Sequence, residues 1–155
     1  RQLLIYAQGR DPSKIEKVLE AARPLTTHLK SRYGTDIESV FLNAMASQKW
    51  ERMVPASRHL VYLDTLDLME SAVESLRKAS PEAKNRMKAA FMNYLLLAPY
   101  LKSIDSPADE AIRGHFRHAG KLIASSEDLR QTSVTVQDIT RKIDIEMKTA
   151  LSLED

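Results

Sequence analysis

The chain has 155 residues, 43% hydrophobic and 28% charged; neither disorder nor a coiled rod is the default for such a composition, and the length is enough to bury a sizeable core in one domain, 1–155. Lys and Arg outnumber Asp and Glu by only 23 to 21, for a net charge of +2, which by itself implies neither nucleic acid nor an anionic membrane. Cysteine is absent, so disulfides, thiolate metal sites and a cysteine nucleophile are excluded, and a cytoplasmic location is the expectation.

Only 4 Gly and 6 Pro occur, too few turn residues for an all-β fold. No apolar run approaches the roughly 18 residues that span a bilayer, and the Leu3–Ala7 patch is too short for the core of a signal peptide. The chain begins with Arg and not Met, and so reads as a piece of a longer protein or a processed product.

The first apolar patch, Leu3-Leu4-Ile5-Tyr6, fits either a helix end or a short strand. Asp11-Pro12 is a start signal, a capping carboxylate followed by proline at the first helical position. Ile15, Val18, Leu19, Ala22, Leu25, Leu29 and Tyr33 then keep to one stripe, and Gly34 is the expected stop. Pro24 lies inside this pattern, but the stripe holds its phase, so a kink is expected and not a break. Thr35 or Asp36 caps the next helix, with Ile37, Val40, Phe41, Ala44 and Met45 inward. Trp50 falls off that stripe and is expected in a loop ending at Pro55, after which Ser57 opens a long helix to Ala79.

The segment 81–104 carries the densest apolar run and is the expected central helix. Ser80 suits a cap, Pro81 the first position and Glu82 the first turn. Ala83, Met87, Ala90, Phe91, Tyr94, Leu95, Ala98 and Leu101 share one broad face at 100° per residue. The opposite face starts polar and turns apolar at Met92, Leu96 and Tyr100, so the second half of the helix requires burial on two sides or a partner. A helix from Pro107 to about Ala124 follows and should bury Ala111, Ile112, Phe116, Ala119, Leu122 and Ile123. The stretch Thr132–Gln137 is β-branched and alternating, which locally reads as a strand. The preferred reading places Thr135 as the cap of a final helix in which Val136, Ile139, Ile143, Met147 and Ala150 share a face. The sum is an all-α antiparallel bundle of five or six helices.

Chemistry-bearing patterns are sparse. His115 and His118 have a spacing that can place two imidazoles on one metal, but no Glu-x-x-His accompanies them and a hydrogen-bonded, partly buried histidine is the expected state. Asp64, Asp67, Glu70 and Glu74 form an acidic ridge that could hold Mg²⁺ if enclosed; opposite an apolar arc, it reads as a solvated face. No nucleophile elbow and no Gly-rich phosphate loop is present. No catalytic residue, metal or cofactor is therefore assigned, and the expected function is a non-catalytic helical module for protein–protein interaction or assembly. Its candidate partner-binding residues are Met92, Leu96, Tyr100 and Trp50, types enriched at interface centres, and the partner is another protein or a second copy. The alternative is a nucleic-acid-associated regulatory domain using the basic stripe Arg113, Arg117 and Lys121.

Overall fold

A computed structural model describes residues 2–153, and within them every side chain except those of Gln2, Leu4 and Gln8. The described residues form seven α-helices and no strand: α1 (Gln2–Gln8), α2 (Pro12–Tyr33), α3 (Ile37–Ala46), α4 (Met53–Arg77), α5 (Glu82–Ile104), α6 (Ser106–Ser125) and α7 (Leu129–Leu151). They belong to two compact units, Arg1–Leu63 and Asp64–Asp155, whose boundary falls inside α4.

In the first unit the undecided apolar patch is a helix. Leu3 and Ala7 lie one turn apart and are both buried, and α1 packs on α2. The Asp11 carboxylate accepts from the Lys14 amide at 3.2 Å and caps α2. Gly34 closes that helix in the left-handed conformation, φ 73°, donating its N–H to the Lys30 carbonyl at 2.9 Å. The helix is continuous through Pro24, as the unbroken stripe requires. Asp36 caps α3, whose Ile37, Phe41 and Ala44 are buried. Val40 was expected inward but is 41% exposed; it stands roughly 60° off the centre of that stripe at 3.6 residues per turn.

Trp50–Arg52 is a 3₁₀ turn that leads straight into α4 at Met53, four residues before the expected start at Ser57. Pro55 is accommodated because first-turn amides have no intrahelical acceptor to lose. Ser57 is buried and donates its hydroxyl to the Met53 carbonyl at 2.8 Å.

The second unit contains the rest of α4 together with α5, α6 and α7. Ala79 ends α4 at φ 52°, and the Ser80 N–H reaches back to the Ser75 carbonyl at 2.8 Å. Ser80 Oγ accepts from the Glu82 amide at 3.3 Å, so α5 starts within a residue of the expected place. The α5–α6 link is Asp105 alone. Its N–H closes α5 on the Leu101 carbonyl at 2.7 Å, and its carboxylate opens α6 by accepting from the Ala108 amide at 3.0 Å. So short a link makes the two helices antiparallel, and the side chains register accordingly: Tyr94 meets Asp109, and Phe91 meets Phe116 at 5.4 Å between ring centres.

Asp128 caps α7, accepting from the amides of Arg130 and Gln131 at 2.9 and 3.1 Å. Thr132–Gln137 is thus neither a strand nor the site of a cap at Thr135, which is exposed in the second turn. The β-branched run is carried into the helix by tertiary burial, with Ser133, Val136, Thr140, Ile143 and Met147 all inward. Ser133 and Thr140 fit an apolar seam because their hydroxyls bond carbonyls of their own helix, those of Arg130 and Gln137.

The central helix is α5. Ala90, Tyr94, Leu97, Ala98 and Leu101 are at most 1% exposed. Leu97, absent from the expected stripe, lies on the side where Asn93 donates to Asp64 of α4. That places burial on two sides of the second half of the helix.

Candidate functional site

The most polar feature of the interior joins α5 to α6. Tyr94 is fully buried, and its hydroxyl donates to the carboxylate of Asp109, itself 3% exposed. The Arg113 Nε–H reaches both Asp109 oxygens, at 3.1 and 3.0 Å, from one turn further along α6. The guanidinium also lies 6.0 Å from the Tyr94 ring centre. Burial pushes the Tyr94 phenol far above its ordinary pKa, and the bond to Asp109 adds to the rise. The network ties α5 to α6 through Tyr94 and Asp109.

His115 and Glu146 of α7 approach at 3.3 Å, both about one-third exposed or less, while His118 is exposed. The two histidines therefore do not converge. No group of three or more His, Asp or Glu side chains among the described residues is placed to hold a metal ion. The acidic ridge is not a solvated face throughout: Asp64, Asp67 and Glu70 are half-buried, and only Glu74 is exposed, in an ion pair with Lys78 at 2.7 Å. The ridge is drawn inward because α4 is apolar over most of its circumference beyond Leu60.

A slot of about 210 Å³ lies between the first half of α5 and the second half of α6. Met87, Phe91, Phe116 and Ile123 make its apolar floor. Gly120 forms part of the wall, and a Cβ placed there would meet nothing within 4 Å. Lys84 and Lys88 stand on one edge and Arg117 on the other, all three exposed. None of these cations has an ion pair among the described residues, and no acidic side chain lines the slot. An engineered cavity of roughly 150 Å³ holds benzene. A slot of about 210 Å³ therefore admits a leucine or phenylalanine side chain from outside.

The residues expected to bind a partner are dispersed. Met92 is 56% exposed and stands one turn after Lys88, prolonging the α5 edge of the slot. Leu96 and Tyr100 are half-buried further around the helix, and Trp50 is half-buried in the 3₁₀ turn of the first unit. Of the basic stripe, Arg113 is turned to Asp109, whereas Arg117 and Lys121 are exposed. Sequence reasoning missed Lys84, Lys88 and Gly120. Their signal was a glycine within a helical run opposite two lysines at i and i+4, which gains meaning only once α5 and α6 are paired.

No helix among the described residues is long and apolar enough to cross a membrane. Comparison of the chain with protein-family models, curated proteins and solved structures returns no match.

Proposed function

We propose that the chain is a non-catalytic helical module that binds another protein, with the α5–α6 slot as the receiving surface. The observation that carries this reading is the open apolar floor of Met87, Phe91, Phe116 and Ile123. An apolar groove between two packed helices is the surface into which an amphipathic helix lays its i, i+3, i+4 and i+7 anchors. The exposed Met92 extends that surface with a side chain that adapts to different partners. The enclosed state of Tyr94 and Asp109 favours binding over catalysis as the use of this helix pair.

The test is a panel of fluorescent amphipathic helical peptides of about 20 residues, long enough to hold a helix. Their apolar anchors are the same, and their polar positions are all Glu, all Gln or all Lys. At least one peptide should bind and shift the amide resonances of Phe91 and Phe116. If none of the three binds, the reading fails. Light scattering on the free chain checks the case of a second copy: a dimer lost in Gly120→Leu would make the chain its own partner.

A nucleic-acid reading has one observation in its favour. Lys84, Lys88, Arg117 and Lys121 leave four exposed, unpaired cations on neighbouring turns of α5 and α6. Phosphate contacts of this kind give an affinity that falls steeply with salt. An oligonucleotide titration at two salt concentrations separates this reading from the first.

A further inference from the structure

Resting on the interaction reading above, the charge around the slot identifies the partner. Lys84 and Lys88 are spaced i, i+4 on α5, and Arg117 and Lys121 repeat that spacing on α6. Like charges at this spacing repel and weaken a helix. Here both pairs are left without an acidic neighbour in ion-pair range among the described residues, although acids are available elsewhere on the same helices. Glu82 pairs with Arg86 and Asp109 with Arg113, so each of these two cations of α5 and α6 has an acidic partner. Lys84, Lys88 and Arg117 line the slot above its apolar floor, and no acidic side chain is among the lining residues.

We propose that the slot docks an acidic amphipathic helix of another protein. A large apolar side chain enters the space beside Gly120, and flanking carboxylates meet Lys84, Lys88 and Arg117. The missing Cβ at position 120 gives the anchor its entry. Cations on both edges favour a ligand with acids on both flanks of its apolar stripe, which a helix with Glu at all polar positions supplies. The edge cations speed encounter and set specificity, while the floor holds the complex.

The test uses the full chain and the three peptides. The Glu peptide should bind more tightly than the Gln peptide, and the Lys peptide not at all; the affinity of the Glu peptide should fall as salt rises. The triple reversal Lys84→Glu, Lys88→Glu and Arg117→Glu should weaken it at least about 3-fold and up to about 160-fold from the loss of three exposed charge pairs. The reversals Lys17→Glu, Lys49→Glu and Lys142→Glu change the net charge equally at exposed positions outside the slot's lining and should leave binding unchanged. Gly120→Leu fills the space and should abolish binding with helix content retained by circular dichroism. The triple reversal, confined to exposed residues, decides the matter if that variant does not fold.

Equal binding of the Gln or Lys peptide would overturn the acidic partner and leave the interaction reading standing. Failure of all three peptides would remove both. Competition by a single-stranded oligonucleotide that also withstands Gly120→Leu would assign the cations to phosphate and overturn the proposal.

Discussion

Replacing Tyr94 with Phe removes one hydroxyl and leaves the ring, its packing against Phe116 at 5.6 Å, and the Asp109–Arg113 pair in place. The lost interaction is a hydrogen bond from a fully buried phenol to a buried carboxylate. Bonds to a charged group contribute about 1.5–3 kcal/mol net. The carboxylate keeps Arg113, so no isolated charge results, and the expected loss stays within that range. For a chain of this length that is a fall in Tm of roughly 3–12 °C. The probe must report the second unit. Trp50 lies in the first, so its fluorescence is the control, and hydrogen exchange at Leu97 and Ile112 is the readout. A double-mutant cycle with Asp109→Ala should give a coupling of about 1.5–3 kcal/mol, since both changes delete the same bond. A loss under about 0.5 kcal/mol for Tyr94→Phe, or additive effects in the cycle, would refute the view that this bond fixes α5 against α6.

Ala79 holds a left-handed φ of 52° at the end of α4, so Ala79→Gly should raise stability by about 0.5–1 kcal/mol, read as a higher urea midpoint. Gly114 lies inside α6 with no atom within 4 Å of an added Cβ; Gly114→Ala should likewise stabilise by about 0.5–1 kcal/mol. Leu97 is 1% exposed, and Leu97→Ala should cost about 2–5 kcal/mol by calorimetry, the range for a core leucine. The Asp36 carboxyl is held down to about 2, first by Lys30 and then by the Ser39 amide. Its pKa is lowered on folding, so its contribution is fully present above the unfolded carboxyl value near 4 and is lost as pH falls through about 2. NMR titration should place its midpoint near 2, and Asp36→Asn should flatten stability between pH 4 and 2.

Much of the fold was legible because capping is local chemistry. Asp11, Asp36 and Ser80 each accept from an amide two or three residues on, a geometry written in the sequence alone. Apolar periodicity likewise marked the buried faces of α2 and α5, since 3.6 residues per turn aligns Ile15 with Leu19 and Met87 with Tyr94. The α7 start was misplaced because Thr132–Gln137 has strand-like propensity, and the pairing that buries Ser133 and Val136 outweighs it.

The sequence by itself determined that the chain is helical and roughly where its helices begin and end, because caps, prolines and apolar spacing act over a single turn. Only the tertiary structure decided the site. No local pattern pairs Asp109 with Tyr94, fifteen residues upstream. Lys84, Lys88, Arg117 and Gly120 became one slot only when the single residue Asp105 folded α6 back along α5. Proximity between residues some thirty positions apart depends on how helices pack, and no local pattern encodes it.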